Sequence, residues 1–115
     1  MVFIESRWFT KRLQELAKGA AEDVLREIQN DLLSDPERGR LVPGLGGIRK
    51  ARSANPGRGK GKRGGFRYFY LFLEDRGHIH LLVLLDKDEQ EDLSASERAV
   101  LRDLVQGIKT LQGNQ

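Results

Sequence analysis

The spacing of apolar residues predicts a short strand and then two amphipathic helices in the first third of the chain. Residues 2–4 form an apolar run of strand length, and Ser6 is placed to cap the first helix. Asp35 and Pro36 end the second helix, because a residue before proline is pushed out of the α region. Two helices with a short joint at Gly19 predict an αα-hairpin. Their apolar residues, three or four positions apart, are Phe9, Leu13, Leu16, Ala21, Val24, Leu25, Ile28 and Leu32.

The middle of the chain predicts three consecutive strands. After a glycine-rich connection at residues 43–47, the strands are expected at residues 48–53, 66–74 and 78–85. Asp75-Arg76-Gly77 is a turn sequence between the last two, which predicts an antiparallel hairpin. Both of these strands are apolar on both faces, so we expect them in the centre of a sheet.

A last helix completes the element order β-α-α-β-β-β-α. Ser94 and Glu97 have the spacing of a capping box, and apolar residues recur at helical spacing behind them. This order predicts a single α+β domain over residues 1–115, with a mainly antiparallel sheet and the helices packed on one face.

Charge is distributed very unevenly along the chain. The whole chain has 20 basic and 17 acidic residues, a net charge of +3. Residues 49–67 hold eight of the basic residues and no acidic one, so the remainder has 12 basic against 17 acidic residues, a net charge of −5. The positive charge is therefore local, and a phosphate backbone is the first candidate for its partner. A basic loop that is merely solvated is the alternative.

Several other classes of protein do not fit the sequence. The absence of cysteine excludes disulfides and thiolate chemistry. His78 and His80 share one strand face, which we expect to point to solvent, and no third metal ligand accompanies them. The acidic run at residues 86–92 lacks the pattern of a calcium loop and is expected to be a solvated link, so no metal or cofactor is predicted. Without a secretory pattern or a long apolar run, we expect a cytoplasmic protein with no membrane partner.

Strand alternation predicts three cations on one surface of the sheet. Lys50 and Arg52 share a face, and Arg67 joins them if the next strand pairs with theirs. Cations held on rigid strands suit an RNA phosphate, either as a grip or as a transition-state clamp. Ordinary ion pairing with a nearby acidic helix is the alternative. Tyr68 and Tyr70 are expected on the opposite face as core or half-buried residues, with base stacking as their alternative.

Two stretches of the chain resemble the HigB branch of the RelE/ParE toxin superfamily. They are residues 46–52, GGIRKAR, and residues 59–70, GKGKRGGFRYFY. Residues 85–94 resemble that branch's link into the last helix, and the resemblance covers nearly the full length of the chain. It implies a toxin of a type II toxin–antitoxin pair that cuts mRNA in the ribosomal A site without a metal. The implied partners are a cognate helix-turn-helix antitoxin and the 30S subunit with its rRNA and mRNA.

The resemblance also implies roles for individual basic residues. The ribose 2′-hydroxyl would attack the adjacent phosphate, with Lys50 or Arg52 helping to activate it and Arg67 stabilising the phosphoryl oxygens. Lys87 resembles a further basic position of the active site, although its acidic neighbours depart from the family pattern, and the acid that protonates the leaving group is unassigned. The residues implied to bind ribosomal RNA are Arg49, Arg58, Lys60, Lys62 and Arg63.

Two further functions are open at this point. ParE-type relatives share the fold and inhibit DNA gyrase without cutting RNA. A plain nucleic-acid-binding module without toxicity is the other. The clustered cations favour an RNA target without excluding gyrase.

Overall fold

One five-stranded mixed sheet organises the part of the chain that the structure describes. The computed structural model describes residues 1–56 and 65–113. The sheet order is β1-β5-β4-β3-β2, in which β1 is parallel to β5 and the other neighbouring pairs are antiparallel. The predicted α+β class with a mainly antiparallel sheet is therefore confirmed. The elements are β1 Val2–Glu5, α1 Arg7–Ala17, α2 Ala21–Ser34, β2 Arg40–Leu41, β3 Arg49–Ser53, β4 Phe66–Leu73, β5 His78–Asp86 and α3 Ala95–Gly113.

The helix ends follow the predicted local signals. The Ser6 side chain accepts a hydrogen bond from Phe9 N at 3.0 Å, which caps α1. A single 3₁₀ turn, Lys18–Ala20, joins α1 to α2, and extended backbone at Asp35 ends α2. Ser94 N donates to Glu97 Oε1 at 2.7 Å and Glu97 N donates to Ser94 Oγ at 3.2 Å, so the capping box before α3 is confirmed.

The helices cover both faces of the sheet, which corrects the expectation that they share one face. Phe9 of α1 and Ile28 of α2 pack with Tyr68 and other buried residues on one side. Leu101 and Val105 of α3 pack with Phe69, Leu82 and Val83 in a second buried cluster on the other side. The reason lies in β4 and β5, which are apolar on both sides, so each face requires a cover.

The two-residue strand β2 is absent from the prediction. Arg40 and Leu41 pair with Lys50 and Arg49, yet both are exposed, so they carry no apolar alternation that would mark a strand. Tertiary contacts place them there: Tyr70 accepts a hydrogen bond from Gly39 N at 3.0 Å. In the described residues, no helix combines the length and apolar character of a membrane span.

Candidate functional site

β3 and β4 bring three cations to the face of the sheet that carries α3. In their antiparallel register Arg52 lies directly opposite Arg67, and Lys50 lies opposite Phe69. Directly opposed residues share a face and alternate along each strand, so all three cations lie on the Phe69 side. This confirms the predicted strand pairing and the shared face. We call Lys50, Arg52 and Arg67 the cationic face.

The two arginines of the cationic face oppose each other electrostatically. Arg67 is only 5% exposed, and its guanidinium donates to Phe66 O at 3.2 Å. Burial and the charge of Arg52 lower the pKa of Arg67, while the charge of Glu91 acts in the opposite direction. An arginine with a lowered pKa is still protonated at neutral pH, so the positive charges of Arg52 and Arg67 repel each other. An anion bound between them would relieve this repulsion.

Lys50 is held by the segment that leads into α3. Its Nζ donates to Glu91 O at 3.2 Å and lies 3.6 Å from Asp92 Oδ1. The same Nζ lies 5.7 Å from the centre of the Phe69 ring, within the range of a cation–π contact. We call residues 88–92 the acidic segment. Its acidic side chains are exposed and it links β5 to α3, as the sequence predicts, but it also contacts Lys50 of the cationic face.

Lys87 lies at the same end of the sheet as Arg67. Lys87 N donates to Gly65 O at 3.3 Å, which continues the β4–β5 pairing one residue beyond β5. Leu85, two positions earlier, pairs with Arg67, so strand alternation assigns Lys87 to the same face. The structure therefore brings this fourth predicted residue close to the other three in the sheet.

The residues predicted to bind ribosomal RNA divide into two groups. Arg49 lies on the opposite face, paired with Tyr70, and its guanidinium donates to Gly39 O at 2.8 Å and Glu37 O at 3.2 Å. These bonds tie the connection after α2 to β3, away from the cationic face. The other four, Arg58, Lys60, Lys62 and Arg63, lie outside the described residues.

Neither histidine lies near the cationic face. His78 and His80 are half-buried rather than solvent-facing, with His78 Nδ1 and His80 Nε2 enclosed. Burial, together with the neighbouring His78, lowers the pKa of His80. His80 precedes Leu85 by five positions, about 17 Å at the rise of a β-strand.

Both tyrosines of β4 belong to the core. Tyr68 and Tyr70 are 0% exposed and lie on the face opposite Arg67, as the alternation predicts. The Tyr68 hydroxyl accepts from Arg38 Nη1 at 3.0 Å, and the Tyr70 hydroxyl donates to Pro36 O at 2.8 Å. Their burial excludes base stacking in this conformation.

Arg38 is a supporting residue that the sequence pattern did not reveal. Its Nη1 lies 3.0 Å from Asp31 Oδ2 and donates to Arg52 O at 3.4 Å, in addition to the bond with Tyr68. It therefore joins α2 to the backbone of β3 directly behind the cationic face. An isolated arginine in a proline turn shows no periodicity, so only the folded arrangement identifies it.

The described residues also form a cleft that none of the three cationic-face residues lines. This cleft of about 440 Å³ opens at the joint of α1 and α2, where Lys18, Asn55 and Glu89 contribute to its lining. Among the described residues, no three acidic or histidine side chains are grouped so that they could hold a metal ion.

The comparisons with known proteins identify the fold. No family model matches the chain. A free double arginine-to-alanine variant of the E. coli toxin RelE has a TM-score of 0.54 at 14% identity, covering 78% of this chain and 86% of that chain. The isolated E. coli RelE toxin has a TM-score of 0.54 at 12% identity, covering 90% of this chain and 97% of that chain. A chain of the intact E. coli RelBE toxin–antitoxin complex has a TM-score of 0.51 at 15% identity, covering 72% of this chain and 92% of that chain. The chain therefore has a RelE-like fold.

Proposed function

We propose that the protein is the toxin of a type II toxin–antitoxin pair and acts as a ribosome-dependent endoribonuclease on translated mRNA. The observation that carries the proposal is the opposed pair Arg52 and Arg67, beside Lys50, on a RelE-like sheet. A phosphate diester between these cations would be bound where its negative charge increases during reaction, which is the requirement for electrostatic catalysis.

The reaction follows from a phosphate held against these side chains. The ribose 2′-oxygen bonds to phosphorus as the bond to the 5′-oxygen breaks, which leaves a 2′,3′-cyclic phosphate and a free 5′-hydroxyl. Arg67 stabilises the phosphoryl oxygens, Lys50 or Arg52 assists loss of the 2′ proton, and Lys87 adds a positive charge. No metal takes part in this scheme. The acid for the 5′-oxygen is not a histidine or tyrosine of this chain, since those four side chains lie away from the cationic face.

The partners follow from the same proposal. Arg58, Lys60, Lys62 and Arg63 would bind ribosomal RNA at the 30S A site and hold the cationic face over the mRNA. The bonds that Arg49 makes to main-chain carbonyls favour a supporting role for it. A cognate antitoxin would neutralise the protein. The similarity to a chain of the RelBE toxin–antitoxin complex supports such a partner. The resemblance to the HigB branch favours a helix-turn-helix DNA-binding protein in that role.

Mapping of transcript 5′ ends after induced expression tests the proposal. Wild type is compared with Arg67→Ala and with the matched control Arg26→Ala, whose arginine lies on α2 and pairs with Asp23. We expect new cuts within translated codons for wild type and the control, absent in Arg67→Ala and absent when initiation is blocked. Ribosome binding by Arg67→Ala should be largely retained.

The other outcomes point to different functions. Growth arrest without cuts would contradict the nuclease and support inhibition of gyrase. No arrest at all would leave a basic binding module. Full toxicity of Arg67→Ala would show that the cationic face is not the active site.

A further inference from the structure

In the free protein, the acidic segment contacts the cationic face. Lys50 contacts Glu91 O and Asp92 Oδ1, at 3.2 Å and 3.6 Å. The charge of Glu91 also acts on the Arg67 guanidinium. The Asp92 carboxylate therefore lies beside Lys50, on the surface where the proposed function requires RNA phosphates.

The position of this segment is fixed by the fold at both ends. At its start, Glu89 N and Gln90 N donate to Asp86 O at 3.1 Å and 2.9 Å, forming a tight turn after β5. At its end, Leu93 is only 8% exposed and packs with the α3 cluster. The Asp92 carboxylate, which directly precedes Leu93, is therefore held near Lys50 by the fold.

The ion pair itself is weak enough to be exchanged. The side chains of Lys50 and Asp92 are 27% and 62% exposed, and their closest atoms are 3.6 Å apart. Exposed pairs of this kind contribute little to stability, because water and salt screen them. A phosphate that approaches Lys50 can replace the carboxylate without unfolding the segment.

We propose that Asp92 is a specificity-determining residue, whose carboxylate occupies Lys50 of the cationic face in the free protein and must be displaced by RNA phosphates. This inference rests on the proposed function. The consequence is that the protein discriminates between free RNA and mRNA on the ribosome. A free, disordered single strand competes poorly with a carboxylate that is already in place. An mRNA held in position by the ribosome competes well, because its ordering has already occurred.

Binding of a non-cleavable RNA tests this inference. The probe is a fluorescent single strand of about ten nucleotides with 2′-O-methyl riboses, which carries about one charge per phosphate but lacks the attacking hydroxyl. Asp92→Asn keeps an oxygen for the bond that Leu93 N donates to Asp92 Oδ1 at 2.8 Å. Asp103→Asn, on the exposed side of α3, changes the net charge equally and is the matched control. We expect Asp92→Asn to tighten binding about threefold more than Asp103→Asn does.

A double-mutant cycle assigns the effect to the contact. In a Lys50→Met background, the gain from Asp92→Asn should disappear, since the cation that the carboxylate occupies is gone. A gain that persists there, or one that Asp103→Asn reproduces, would mean that only net charge changed and would overturn the inference. Weaker binding by Asp92→Asn would also overturn it.

The experiment separates this inference from the proposed function, because the probe reports binding without cleavage. Tighter binding by Asp92→Asn in a protein that cuts no transcript would support displacement and contradict the nuclease. Codon-level cuts by wild type, with equal binding by Asp92→Asn and Asp103→Asn, would support the nuclease and contradict displacement.

Discussion

Arg52 and Arg67 lie directly opposite each other on β3 and β4, and like charges so placed destabilise a sheet. Arg52 is exposed, so solvent weakens the effect. We expect Arg52→Gln to raise the free energy of unfolding by about 0.5 kcal/mol at low salt, and the gain to shrink as salt screens the pair in wild type. Urea denaturation at two salt concentrations measures this.

Arg26→Gln is the control for that experiment, because Arg26 pairs with Asp23 rather than with another cation. It should not stabilise the protein at either salt concentration. A loss of stability in Arg52→Gln at low salt would contradict the repulsion.

Tyr68 gives the fold a dependence on alkaline pH. Burial raises its pKa from 10.0 to about 12, against the effect of Arg38. The folded state therefore holds the phenolic proton more tightly than the unfolded state. The contribution of this proton to the free energy of unfolding is fully present below about pH 10 and is lost as the pH rises towards 12.

The matched variant Tyr68→Phe isolates that contribution. We expect it to be less stable than wild type by about 1 kcal/mol at neutral pH, because the bond from Arg38 is lost. Between pH 10 and 12 wild type should lose about 2 kcal/mol more than the variant does. Denaturant unfolding across this range measures the difference. Parallel losses in both proteins would show that Tyr68 is not the titrating group.

Individual residues differ in how far the sequence could predict them. The shared face of Lys50, Arg52 and Arg67 follows from alternation and a hairpin, which are both local rules. The roles of Arg38 and Asp92 depend on partners 14 and 42 positions away, at Arg52 and Lys50, and no local pattern records such contacts.

Among the elements, those with local signals were predicted and those set by tertiary contacts were not. Ser6, Pro36 and the capping box before α3 fixed helix ends, because each acts within a few residues. The side on which α3 packs was mispredicted, since an amphipathic helix shows that it has an apolar face but not which sheet surface covers it.

Gly65 determines how closely β4 approaches the end of β3. A Cβ at this position would lie 2.2 Å from Ser53 O and 2.8 Å from Asn55 N, both of which are backbone atoms. We therefore expect Gly65→Ala to destabilise the protein by about 3 kcal/mol, since the strand ends must separate. Gly107 in α3 has open space around its Cβ position, so Gly107→Ala should stabilise by up to about 1 kcal/mol.

Urea denaturation of the two alanine variants measures the expected loss of stability in Gly65→Ala and the expected gain in Gly107→Ala. Their covalent change is identical, so the comparison isolates the surroundings of the Cβ atom. A Gly65→Ala protein as stable as wild type would contradict the close contact between the two strand ends.

At the scale of the whole molecule, basic and acidic residues are separated along the sequence, but the fold brings some of the acidic residues back to the basic ones. Residues 49–67 carry eight basic residues, while the rest of the chain has a net charge of −5. The acidic segment returns part of that negative charge to the cationic face. In the sequence, residues 58–63 hold four basic residues and no acidic one, and this run contains Lys60, Lys62 and Arg63.

Salt dependence tests whether that local excess, rather than net charge, binds RNA. Each phosphate contact on a single strand adds about −0.7 to the slope of log affinity against log salt. Replacing Lys60, Lys62 and Arg63 together by Gln should reduce the slope by about 2. Replacing Lys11, Arg26 and Arg76 by Gln lowers the net charge equally, from +3 to 0, and should leave the slope unchanged. Equal slopes for the two triple variants would assign binding to net charge, and a flat response in wild type would contradict a polyanion partner.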